Sequence, residues 1–294
     1  MTARAAKLGD YLEVTKPRVV ALIVFTAVVG MLLAVPALPP FDKFAFGTLG
    51  IWLAAASAAA INHLLDRQAD AAMSRTRDRP LPAGHLTARE VAVFAAVLGV
   101  AAMFILGYFV NLLTAVLTLV SLVGYAVVYT LYLKRATPQN IVIGGAAGAA
   151  PPVLGWAAVT GEVSAGALLL FLIIFVWTPP HFWALAIHRR DDYARVNIPM
   201  LPVTHGVEFT GLQIVLYTLL LMAVSVLPYL IGMSGGLYLV GALSLGALFL
   251  YHAIRLKRRP EGSRPMQTFT FSLVYLAGLF TFLLFDHYLP LLPR

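Results

Sequence analysis

Cysteine is absent from all 294 residues. Disulfides, thiolate-held metals and a cysteine nucleophile are therefore excluded. Charge is scarce as well: 12% of the residues are Asp, Glu, Lys or Arg, against about a quarter in a soluble domain. The few charges cluster in short stretches between long uncharged runs, and 60% of the chain is hydrophobic. A bilayer acting as solvent produces that pattern, because charge is costly in hydrocarbon and tolerated in loops. The formal net charge of +8 is not a nucleic-acid footprint. No soluble basic stretch is interleaved with aromatics, and the excess lies beside apolar runs, where it sets orientation.

A bilayer crossing takes about 20 apolar residues. Nine segments are candidates, at roughly 18–35, 44–64, 88–110, 112–133, 140–159, 165–188, 209–231, 235–255 and 268–288. The apolar run of the first, Val19 to Val35, follows Arg4, Lys7, Lys16 and Arg18 and is longer than a signal-peptide core, so it reads as a retained span. With a cytoplasmic N-terminus, nineteen of the 21 Lys and Arg residues fall on the cytoplasmic side, and Lys43 and Arg294 on the other. The two longest polar stretches, 65–87 and 189–208, share the basic side, which makes that side the working face. The expected architecture is all-α and polytopic, with about nine transmembrane helices and cytoplasmic active-site loops. It forms one domain over 1–294, in two four-helix halves at about 18–133 and 140–255, with 268–288 added. The halves rest on a weak repeat: Asn62, Asp66, Asp70 and Arg79-Pro80-Leu81-Pro82 after the second span, Arg189, Asp191, Asp192 and Ile198-Pro199-Met200-Leu201-Pro202 after the sixth.

Asn62, Asp66 and Asp70 stand four residues apart, on one face of a helix. Two carboxylates and an amide oxygen make a hard-oxygen set suited to Mg²⁺, which binds through one or two carboxylates plus phosphate oxygens. The competing reading is a solvated helix end with Arg67 as local partner. Arg75, Arg77 and Arg79 follow, and arginine gives bidentate contacts to phosphate oxygens, although basic anchoring explains such a loop equally well. Carboxylates with Mg²⁺ and Arg attract a diphosphate that carboxylates alone repel. A second cluster runs from His181 to Asn197, where Asp192 is a candidate for a second cation and Arg189 for phosphate. Lys134-Arg135 and Lys16-Pro17-Arg18 lie on the same side and can reach an anion or serve as anchors. His181, inside a span, is a haem-ligand candidate or a hydrogen-bonded structural histidine. Pro179-Pro180 predicts a kink before it. Gly144, Gly145 and Gly148 predict close helix packing.

These stretches resemble the UbiA-type membrane prenyltransferases. The first signature is Asn62, Asp66 and Asp70 followed by Arg75-Thr76 and Arg79-Pro80-Leu81. Thr15-Lys16-Pro17-Arg18, Leu133-Lys134-Arg135, Asn140-Ile141-Val142-Ile143-Gly144-Gly145, Pro151-Pro152, Gly155-Trp156, Pro180-His181, Asp192-Tyr193 and Ile198-Pro199-Met200-Leu201-Pro202 resemble its haem-directed branch. That branch shares a thinner second motif, for Asp192 has no acidic neighbour four residues away. The resemblance implies an Mg²⁺-dependent enzyme that moves a farnesyl group from farnesyl diphosphate to the 2-vinyl group of haem B, giving haem O and pyrophosphate. It implies catalytic and metal-binding roles for Asn62, Asp66, Asp70 and Asp192, and diphosphate contacts from Arg75, Arg79, Arg189, Lys134 and Arg135. His181 is the implied haem contact. The expected setting is the lipid bilayer of a bacterial inner membrane, with a downstream haem A synthase or terminal oxidase assembly as partner. Competing classes are a prenyltransferase with another acceptor, a transporter, and a non-catalytic haem-binding factor. A transporter would carry its acidic site near the midplane, whereas Asp66 and Asp70 fall at the basic end.

Overall fold

In a computed structural model of the chain, residues 3–289 are described, with side chains from Lys7 onward. Arg294 and the side chain of Arg4, both counted above, lie outside the described residues. Every regular element among the described residues is a helix. In chain order these are α1 Ala3–Val14, α2 Pro17–Leu33, α3 Phe41–Ala72, α4 Ala88–Ile105, α5 Leu112–Val123, α6 Lys134–Ala136, α7 Asn140–Ala149, α8 Pro151–Thr160, α9 Ala165–His188, α10 Arg190–Arg195, α11 Leu201–Thr204, α12 Gly206–Leu230, α13 Gly236–Arg258 and α14 Arg264–Tyr288. Two π-helical stretches, Leu106–Val110 and Gly124–Leu133, extend α4 and α5. Among the described residues, eight helical segments are long and apolar enough to cross a membrane, and a ninth counts if α1 and α2, bent by 48°, form one span. That agrees with the expected number of about nine.

The breaks follow local chemistry. Lys16 takes a left-handed φ of 51°, and Pro17 opens α2 at a position where its missing N–H costs nothing. Asn111 is extended, and its side-chain oxygen accepts from the Thr114 amide at 2.8 Å, so α5 restarts at once after the preceding span. Thr87 and Glu90 form a capping box that starts α4. Helix α3 continues to Ala72, eight residues past the apolar span limit at 64, and so carries Asp66 and Asp70 on the helix as their spacing requires. Helix α9 spans Ala165 to His188 with Pro179 and Pro180 inside it.

Packing uses small residues. A Cβ on Gly30 would overlap the Pro152 carbonyl, and one on Gly155 the Ala27 carbonyl, so α2 and α8 meet backbone to backbone. Gly145 packs tightly against the Thr178 side chain, whereas a Cβ on Gly148 would meet nothing within 4 Å, and both glycines line a cavity. Trp177, Tyr238, Phe249, Tyr275 and Phe280 form a core among α9, α13 and α14. Val97, Val100, Phe104, Leu119 and Val120 are exposed, as bilayer-facing side chains must be.

Candidate active site

Helix α3 holds Asn62, Asp66 and Asp70 along one face, and all three are buried. They form one wall of a cavity of about 470 Å³. The α3 lining runs from Ile51 to Asp70, about 28 Å at about 1.5 Å per residue. Lys16, Arg75, Arg79 and Lys134 join Asp66 and Asp70 as its charged lining, while Ile51, Leu154, Ile174, Trp177 and Leu276 make apolar wall. The cavity therefore carries charge at the C-terminal end of α3 and hydrocarbon along its length.

Each acid is held by a cation from elsewhere in the chain. Lys134 Nζ donates to Asp66 Oδ2 at 2.6 Å, and Arg79 donates to Asp70 Oδ2 at 2.8 Å. Lys16 donates to the Asn62 side-chain oxygen, while the Asn62 amide donates to Asp66 Oδ2 at 3.0 Å and to Thr130 at 3.2 Å. The Thr76 hydroxyl donates to the Asp70 carbonyl at 2.8 Å and pins the loop that carries Arg75 and Arg79. Arg67 is exposed and donates to the Leu64 carbonyl, so it is not the partner of the array. Burial first, then the Arg79 guanidinium, pushes the Lys16 amine down to about 7, with Asp66 pulling the other way. Four basic side chains face two carboxylates, which makes this end a receptor for an anion.

The π-helix sets the opposite wall. In an α-helix, at about 100° per residue, Lys134 would point away from Tyr125. Winding with i→i+5 bonds, at roughly 4.4 residues per turn, carries Tyr125, Tyr129, Thr130 and Lys134 to one side. The Thr130 hydroxyl donates to the Tyr125 carbonyl at 2.9 Å, along that same i→i−5 path. Tyr125 and Tyr129 stack with centroids 5.6 Å apart, and the Tyr129 ring lies where a Cβ on Gly144 would be.

His181 lines the cavity from α9. Its ring is stacked between Trp177, with centroids 4.2 Å apart, and Phe269, at 4.5 Å. Its Nδ1 lies 2.6 Å from the Ser272 hydroxyl. His63, beside Asn62, is buried without a hydrogen bond to either ring nitrogen and does not line the cavity.

The cavity thus gathers Asn62, Asp66, Asp70, Arg75, Arg79, Lys134 and His181 from the expected set. Three others stay outside its lining. Arg135 is exposed on α6, Arg189 is half-buried at the end of α9, and Asp192 lies near Arg195, at 3.5 Å. Tyr193, next to Asp192, lines the cavity instead. Tyr125 and Tyr129 escaped sequence reasoning, although two tyrosines four residues apart ahead of Lys134 were an available signal, while Tyr193 was matched only as part of Asp192-Tyr193, without a role.

No three His, Cys, Asp or Glu side chains group to hold a metal among the described residues. The donor set is two carboxylates and one amide oxygen, with Oδ1 of both aspartates outside the ion pairs. That fits Mg²⁺ shared with phosphate oxygens and does not fit an all-protein metal cage.

Residues 23–281 match the model of the UbiA prenyltransferase family. A protoheme IX farnesyltransferase of Methylococcus capsulatus is 64% identical over 281 residues, covering 96% of this chain and 94% of that one. The enzyme of that name from Thioalkalivibrio sulfidiphilus is 61% identical over 290 residues, covering 99% and 96%. Solved structures share the fold. A digeranylgeranylglyceryl phosphate synthase superposes with a TM-score of 0.79 at 18% identity, covering 96% of this chain and 99% of that one. A UbiA homologue of Archaeoglobus fulgidus bound to DMAPP and Mg²⁺ gives 0.67 at 16%, covering 93% and 99%.

Proposed function

The chain belongs to the UbiA prenyltransferase family, and on that premise we propose that it transfers a farnesyl group from farnesyl diphosphate to the 2-vinyl group of haem B, with addition of water, giving haem O and pyrophosphate. The relatives' name supports the donor and acceptor. The observation that carries the reading is a single cavity with a charged anion-receiving end and a long apolar, aromatic body.

Lys16, Arg75, Arg79 and Lys134 receive the diphosphate oxygens by charge-assisted hydrogen bonds. Asn62, Asp66 and Asp70 are the residues that would hold Mg²⁺ there. When bound, that ion neutralises charge developing on the departing diphosphate. Lys134 and Arg79 then serve phosphate as well as carboxylate. The allylic C–O bond breaks with its electron pair leaving on pyrophosphate. Tyr125, Tyr129, Trp177 and Phe182 keep water from the allylic cation. The terminal vinyl carbon bonds to it, and the positive charge moves to the porphyrin-side carbon. Water adds there and loses a proton to solvent, leaving a hydroxyethylfarnesyl group. His181 contacts haem. No step is assigned to Arg135, Arg189 or Asp192, which lie outside the cavity lining.

The protein is an integral membrane protein. In the proposed setting, a bacterial inner membrane, the N-terminus and the cavity mouth are cytoplasmic, the C-terminus lies opposite, and the halves at about 18–133 and 140–255 enclose the cavity. The product passes to a downstream haem A synthase or terminal oxidase assembly.

Asp66→Asn tests the mechanism in detergent-purified protein supplied with haem B, farnesyl diphosphate and Mg²⁺. Turnover should fall by about 100-fold or more, the scale of losing one preorganised charge contact to a developing anion. Full turnover by the variant contradicts the metal role of the array.

A further inference from the structure

Ser272 is fully buried on α14, and its hydroxyl oxygen makes two short contacts. One is to the Phe269 carbonyl at 2.6 Å and the other to His181 Nδ1 at 2.6 Å. Contacts this short each need a proton between the heavy atoms. The hydroxyl has one proton to give, and the carbonyl has none. The serine therefore donates to Phe269, and the second proton belongs to His181 Nδ1. In its neutral form the imidazole then carries its free lone pair on Nε2.

The ring around that nitrogen is held fast. Trp177 and Phe269 cover its two faces, and Trp177 is itself tied by Nε1 donating to the Ser272 carbonyl at 2.8 Å. One turn of α9 and one turn of α14 thus fix both the plane and the tautomer of a histidine in the cavity wall. Nε2 has no hydrogen-bond partner among the described residues, and His181 lines the cavity. Metal-binding histidines are built in this manner, with one nitrogen free and the other N–H committed to an acceptor.

We infer that His181 Nε2 is an axial ligand to the iron of the haem substrate, and that Ser272 is the positioning residue that selects the ligating tautomer. The inference rests on the proposed haem acceptor and adds the atom that binds it. The ligand anchors the porphyrin at the aromatic part of the cavity wall, while the carboxylate array and its cations take the diphosphate. A serine serving only its helix would be fully satisfied by the Phe269 carbonyl, a common bond for serine in a membrane helix. Its removal would then leave iron coordination unchanged.

The test titrates haem B into detergent-purified full-length protein and follows the Soret band and the iron–histidine stretch. Wild type should bind haem with a histidine-ligated spectrum. His181→Ala should lose that signature, and added imidazole should restore it. Ser272→Ala should weaken haem affinity about tenfold and shift the iron–histidine stretch, the scale of losing an outer partner of a ligating histidine. Ser272→Thr keeps the hydroxyl and should keep both. Farnesyl diphosphate affinity should stay unchanged in all three, which separates a local effect from misfolding. Wild type that binds no haem sinks the acceptor assignment and this inference with it. Haem that binds wild type with a histidine signature unaltered by Ser272→Ala overturns the positioning role alone. A signature that survives His181→Ala overturns the ligand.

Discussion

Lys134 and Arg135 are adjacent in the chain and differently placed. Lys134 is mostly buried against Asp66, while Arg135 is exposed. Lys134→Ala leaves Asp66 buried without its cation, and losing one partner of a buried pair costs about 3–5 kcal/mol. The variant should unfold at lower temperature in detergent and bind farnesyl diphosphate more weakly, whereas Arg135→Ala should match wild type in both measurements. Lys16 gives a pH signature. Its amine, lowered to about 7, is protonated below that pH and neutral above it. Donor affinity should therefore fall as pH rises through about 7, and Lys16→Gln should flatten that part of the profile. The acids and arginines of the array were legible in the sequence because a four-residue spacing maps onto one helix face. Lys16 and Lys134 were legible only as basic residues on the same side; their pairing with Asn62 and Asp66 was not, because it spans 46 and 68 residues. Ser272, 91 residues from His181, gave no sequence signal at all.

At the scale of elements, span limits read from apolarity came within a few residues of most helices, but α3 outran its apolar stretch. Buried ion pairs with Lys134 and Arg79 allow Asp66 and Asp70 to continue the helix where hydropathy says it ends. The π-helix Gly124–Leu133 was invisible for a different reason. Its apolar residues serve an α-helix and a π-helix equally well, and only packing decides between them. It depends on Gly144, because the Tyr129 ring occupies the space of a Cβ there. Gly144→Ala must push that ring toward the cavity. We expect a loss of about 1–3 kcal/mol from overpacking and a matching drop in turnover. A variant with wild-type melting and rate would show that the wall yields without consequence.

Across the whole molecule, the missing cysteines make sidedness measurable. Single cysteines at Ser74, in the loop after α3, and at Ser234, before α13, should react with an impermeant maleimide from opposite faces of the membrane. Ser74 should label from the cytoplasmic side and Ser234 from the other. Labelling of both from one side would overturn the helix count as well as the orientation. The alternation of charge predicts this arrangement, since the loops on one side carry nineteen of the 21 Lys and Arg residues and those on the other almost none. The composition also excluded thiol chemistry before any fold was considered. How the helices enclose one cavity, with α3, the π-helix and α9 as its walls, came only with tertiary packing.

The most direct measurement identifies the product. Purified protein incubated with haem B, farnesyl diphosphate and Mg²⁺ should yield a porphyrin heavier by one farnesyl and one hydroxyl group, with one pyrophosphate released per product, and chelation of Mg²⁺ should stop both. Haem recovered unchanged from intact protein with the donor bound would contradict the account and assign the transfer to another acceptor.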